Sequence, residues 1–121
     1  MTRTMFIKAK EMVQRLVSDE VSSTVRSRIE QDLANICFDI SEHNFLKPLT
    51  ELNTNKNEYS IAYICAEGCC CPDFAVDLFF RLSECEDQWK QNNAIEALSA
   101  YPINGDRYGD VSQYLENYSK N

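Results

Sequence analysis

Three consecutive cysteines, Cys69, Cys70 and Cys71, stand between Gly68 and Pro72 in the stretch AEGCCCPD. Cys65 precedes them, while Cys37, Cys85 and the single histidine, His43, lie further away along the chain. Thiols and imidazole at such density raise two chemistries, metal ligation and redox exchange. Structural zinc sites use four such ligands, often as paired Cys-x-x-Cys knuckles. No pair in this sequence has that two-residue gap, and adjacent cysteines point in divergent directions. A thiol in front of a helix can be acidified by the dipole and free N–H groups, which would suit Cys71 ahead of Pro72. Asp73, in the same first turn, opposes that thiolate. The sequence therefore reads most simply as a corner. Gly68 ends one helix in the left-handed conformation, Pro72 opens the next, Asp73 complements its dipole, and the cysteines fill space where the two helices meet. No metal ligand set and no cofactor is expected on this reading.

Other catalytic chemistry finds little support. A Cys–His pair involving His43 has no local signature, and His43 in SEHNF is expected near a helix end, against terminal carbonyls. The chain has no glycine-rich phosphate loop, no GxSxG and no HExxH. Asp73 and Asp77, with Arg81 next, read as a solvated helix face. No catalytic residue is assigned, and a non-enzymatic protein is expected.

The elements that must position these residues are helical. Only three glycines and three prolines occur in 121 residues, too few for the corners of a β sandwich. Met5, Ala9, Met12, Val13 and Leu16 make one face of a helix over 3–17, followed by a break with Ser18 or Ser22 as cap. Val21, Val25, Ile29, Leu33, Ile36, Cys37 and Ile40 then recur at spacings of three and four. Pro48 permits only a short helical piece, and NTNKNE reads as a polar loop. Residues 59–66 suit either a strand or a helix. A helix is expected, because no second strand exists to accept the hydrogen bonds. Residues 72–86 form an amphipathic pattern with Ala75, Leu78, Phe79, Leu82 and Cys85 inside. Ile95, Leu98 and Ala94 or Ala97 mark a further helix stopped by Pro102. Asp106 is expected to cap a last helix bearing Tyr108, Val111, Leu115 and Tyr118. The expected fold is all-α: one domain over residues 1–121, of about five to seven short helices packed as stacked helical hairpins.

Charge bounds the partners. The net charge is −7, and residues 61–121 carry 10 acidic against 4 basic side chains. Such a half repels nucleic acid and anionic membranes, so neither is expected as a direct partner. The first twenty residues lack an uncharged apolar core, which fits a cytoplasmic chain with reduced thiols. Asp73, Asp77 and Glu84 would form an acidic stripe, continued by Glu86, Asp87 and the single tryptophan, Trp89. Asp106, Tyr108 and Asp110 extend the acidic and aromatic pattern. These nine residues are the candidate partner-binding set, since aromatic anchors beside charge are typical of interface hot spots.

The segment CPDFAVDLFFRLSECEDQWKQNNAIEALSAYPINGDRYGDVSQYLENY, in a small acidic helical chain, resembles the immunity proteins of bacterial contact-dependent growth inhibition and related polymorphic toxin systems. The resemblance implies tight binding to a cognate toxin, often a basic nuclease domain, by covering its active site or substrate groove. Two other readings stay open: a helical-repeat adaptor for a peptide or regulator, and a thiol-dependent metal or redox protein.

Overall fold

The computed structural model describes residues 2–18, 21–52 and 54–120. Among them the fold is all-α, with seven α-helices and no strand. These are α1 (Thr2–Ser18), α2 (Ser23–Asp39), α3 (Lys47–Glu51), α4 (Asn55–Glu67), α5 (Val76–Leu82), α6 (Gln88–Ser99) and α7 (Tyr108–Ser119). Short 3-10 turns, Asn44–Leu46 and Asp73–Ala75, lead into α3 and α5. None of these helices is long and apolar enough to cross a membrane.

Helix α4 is the centre of the packing. It lies against α2 on one side and α6 on the other, with α3 also touching it. Helix α1 covers α2 and α3, while α5 and α7 both pack on α6. The residues that α4 buries explain its place: Ile61, Ala62, Ile64 and Cys65 are wholly enclosed, so it has inward faces on two sides. That is why its sequence lacks a clean one-sided stripe and reads ambiguously. Around it one continuous core joins Val13, Leu33, Leu46, Leu49, Phe79, Leu98 and Val111. A fully buried Phe79 alone contributes about 2–3 kcal/mol.

Caps set several boundaries. Ser22, one of the two cap candidates in the sequence, accepts from Val25 N–H at 3.2 Å and starts α2. Thr54 accepts from Asn57 N–H at 3.1 Å, so α4 begins inside the segment expected to be a loop. Asn57 is not a solvated turn residue. It is buried, donates to Leu52 O, and accepts from Arg26, which also donates to Leu16 O and Ser60. One guanidinium thus ties the end of α1 to α2 and α4. Its own pKa is lowered, first by burial, with Glu30 opposing.

Two further boundaries differ from the expectation. Residues 72–86 do not form one helix: a 3-10 turn precedes α5, which stops at Leu82. Asp106 does not cap α7, whose first residue follows Arg107 with no side-chain cap. Within the expected stripes, Val25 and Tyr108 are exposed, whereas Ile29, Leu33, Cys37 and Val111 are buried.

The corner after α4 exists, but its left-handed residue is Cys69, at φ 53°, and Gly68 is right-handed at φ −82°. Cys70 N–H donates to Cys65 O at 3.1 Å and Cys69 N–H to Ala66 O at 3.4 Å, the paired bonds of a Schellman motif. Glycine is required at 68 for a different reason. A Cβ there would stand 2.7 Å from Cys37 Cβ and 2.9 Å from Ala34 O, so it is the point where α2 presses on α4.

Candidate functional site

Two groups of side chains stand out, an acidic corner and a thiol–imidazole cluster, with Asp73 bordering both.

The acidic corner is built by three segments: the 3-10 turn before α5, the first turn of α5, and the loop and first turn of α7. Tyr101, buried at the end of α6, donates its hydroxyl to Asp73 and accepts from Arg107 N–H at 2.9 Å. This locks the 102–107 loop onto the start of α5. Arg107 then reaches Asp77 Oδ1 at 2.9 Å and Asp110 Oδ2 at 3.8 Å. Its pKa is raised, chiefly by the hydrogen bond to Asp77. Burial, and then the Asp73 hydrogen bond, push the Tyr101 hydroxyl up, and Asp106 adds to this through its charge. Asp73, Asp77, Asp106 and Asp110 are all exposed; two of these carboxylates pair with Arg107 and the other two act on the Tyr101 hydroxyl. Ile103, 80% exposed, and Tyr108 lie in the same segment.

The remaining sequence candidates do not join this corner. Glu84 and Glu86 are exposed in the turn beyond the other end of α5, about 10 Å of helix away. The predicted stripe of Asp73, Asp77 and Glu84 is thus divided, because α5 is too short to carry it. Asp87 is the N-cap of α6: one oxygen accepts from Lys90 N–H at 3.1 Å and the other from the Tyr59 hydroxyl. Trp89 is 42% exposed and lies over a shelf of Tyr59 and Tyr63, with ring centroids at 5.0 and 6.3 Å.

The thiol–imidazole cluster brings together residues the sequence left apart. Cys37 near the end of α2, His43 beyond it, and Cys70 in the corner after α4 place their ligand atoms within 4.8 Å of one another. The Schellman turn aims Cys70 inward, and Gly68 lets α2 come close enough for Cys37 to meet it. The Cys70 sulfur also contacts the Cys65 thiol on α4. Hydrogen bonds from Cys37 and Cys65 favour the thiolate of Cys70 and hold its pKa below the ordinary thiol value, with His43 adding to this. The Cys37 thiol, donating to Cys70, is pushed up, as is the enclosed Cys65 thiol, there chiefly by burial. Cys71, the thiol the sequence singles out for reactivity, is instead buried and pushed up to about 12 by burial, then by Cys70 and Asp73.

His43 and Cys70 line an open cavity of about 430 Å³, together with Glu42, Asp73, Phe74 and Pro102. His43 Nε2 lies 3.1 Å from Cys37 O. A carbonyl only accepts, so neutral His43 carries its proton on Nε2 and keeps a lone pair on Nδ1.

No family model matches the chain, and no curated protein or solved structure matches it either.

Proposed function

We propose that this chain is a binding protein that captures a basic protein partner through the Asp73–Asp77–Asp106–Asp110 corner. The partner is a toxin domain of nuclease type, as the resemblance to immunity proteins implies. The observation that carries the reading is the gathering of four exposed carboxylates from three segments, Asp77 and Asp110 on Arg107 and Asp73 and Asp106 about the Tyr101 hydroxyl. The charges sit on a surface pinned by Tyr101, so a partner meets a preformed array and loses little freedom in ordering it. Ile103 and Tyr108 supply apolar contact beside the charge, the composition of an interface hot spot. The net charge of −7 adds long-range attraction that speeds encounter with a basic surface and falls with salt over a Debye length of about 8–10 Å. In binding a nuclease, the carboxylates stand where substrate phosphates would stand.

Co-expression with a candidate basic toxin domain from a neighbouring reading frame tests the proposal, scored by growth rescue and by a complex that survives gel filtration. The Asp77→Lys/Asp110→Lys pair is expected to weaken the complex at least tenfold and to flatten its salt dependence. Glu84→Lys is expected to have a smaller effect. Unchanged affinity in the double variant would sink the assignment of this corner. Absence of rescue and of any complex would sink the partner.

A further inference from the structure

The geometry points to a binding site for a thiophilic divalent cation of the Zn2+ class, held by Cys37 Sγ, Cys70 Sγ and the His43 ring. This inference stands apart from the partner-binding proposal, since none of the three residues belongs to the acidic corner. Two sulfurs and an imidazole nitrogen lying within 4.8 Å of one another are the donor set that borderline-soft ions select over oxygen ligands. At Zn–S and Zn–N distances of about 2.3 and 2.0 Å, tetrahedral ligand atoms stand roughly 3.5–3.8 Å apart. Contraction of about an ångström therefore closes the set, within reach of rotamer adjustment.

The surroundings favour ligation at each position. The contact between His43 Nε2 and Cys37 O orients the ring and leaves Nδ1 as the donor, as outer-sphere carbonyls do for metal-bound histidines. Cys70 lies in the corner after α4 with its sulfur in hydrogen-bond contact with the Cys37 and Cys65 thiols, so its position is fixed from two helices. Cys65, whose thiol hydrogen-bonds the Cys70 sulfur, acts as a positioning residue that fixes it. His43 and Cys70 face the cavity, so an ion has an entry path and a fourth position open to solvent. Binding displaces the thiol protons of Cys37 and Cys70 to solvent, with no change in oxidation state. The ion would join the end of α2 to the corner after α4.

The experiment uses the full chain, purified under reductant without chelator. Its metal content is measured, Zn2+ is titrated against a chromophoric chelator, and the Co2+ derivative is examined for tetrahedral d–d bands and thiolate charge transfer. One equivalent of Zn2+ and a tetrahedral two-thiolate Co2+ spectrum are expected. Cys70→Ser and His43→Gln should each lower affinity beyond the roughly 10–100-fold typical of outer-sphere changes, with far-UV circular dichroism unchanged. Cys69→Ser and Cys85→Ser should bind as the parent does, and they report on adventitious thiol binding even if Cys37→Ser fails to fold. The inference is overturned if the reduced parent takes up no stoichiometric Zn2+, or if Cys69→Ser loses as much affinity as Cys70→Ser. It is equally overturned if Cys37 and Cys70 are isolated as a disulfide and bind no metal after reduction.

Discussion

Lys90 on α6 holds Glu58 on α4, with Nζ 2.9 Å from Oε1, and the other Glu58 oxygen lies 2.7 Å from Arg81 Nη2. Lys90 is buried, donates also to Asn55 at 2.5 Å, and sits 4.7 Å from the Tyr59 ring centroid. An ammonium in that position depends on its carboxylate. Glu58→Gln is expected to cost about 2 kcal/mol, because it leaves a buried charge poorly paired. Lys90→Met fills the same space without charge and should cost less, about 1 kcal/mol. Urea midpoints at constant m-value measure both. Equal losses for the two variants would refute this ordering.

The same pair sets a pH dependence. Burial alone would raise the Glu58 carboxyl, but hydrogen bonds from Lys90 and Arg81 outweigh it and hold the pKa below the ordinary carboxylate value. A folded pKa below the unfolded one, about 4.3, means the stabilisation is complete above that pH. It is lost as pH falls through the lowered value. The stability gap between the parent and Glu58→Gln should therefore be constant from pH 6 to 8 and shrink below about pH 4. A gap that persists unchanged at pH 3 would exclude this linkage.

Adjacent residues in the corner should respond in opposite directions. Cys69 pays for a left-handed φ of 53° without being glycine, and it is exposed. Cys69→Gly is expected to stabilise by roughly 1 kcal/mol. Gly68→Ala places a Cβ against Cys37 and Ala34 O, and should destabilise by about 1–3 kcal/mol through overpacking. Thermal midpoints of the two variants should bracket the parent.

How far the sequence foretold this structure depends on whether a feature is local. The helices α1, α2 and α6 follow from one-sided apolar spacing, and the helix over 59–66 follows from the lack of a strand partner. A serine cap before α2 was legible from residue type, but the choice of Ser22 over Ser18 was not. Nor was the start of α4, because Asn55, Asn57 and Lys56 look like loop residues. Their helical state rests on Thr54 and on tertiary bonds from Arg26. The corner AEGCCCPD was legible as a corner, but the division of labour between Gly68 and Cys69 depends on how closely α2 approaches. The meeting of Cys37, His43 and Cys70 was hidden for the same reason: it needs the contact of α2 with α4, which no spacing encodes.

Asp87 and Asp77 look alike in sequence, yet the structure gives them different work, and substitution separates the two. The Asp87 carboxylate caps α6 and takes the Tyr59 hydroxyl, joining α6 to α4. Asp87→Ala should cost about 1–2 kcal/mol: the lost cap contributes about 1 and the lost cross-helix bond the remainder. Asp87→Asn keeps an oxygen for the cap and should recover most of that loss. Tyr59→Phe removes only the second bond, so a double-mutant cycle with Asp87→Ala should give a coupling of about 0.5–1 kcal/mol. Asp77, 80% exposed and paired with Arg107 at the surface, should be replaceable by alanine with stability within error of the parent. Under the proposed function, its replacement should instead slow association with a basic partner and weaken the salt dependence of that rate. If Asp77→Ala destabilised the chain as much as Asp87→Ala, the acidic corner would be holding the fold together, and its exposed carboxylates would lose their claim to recognition.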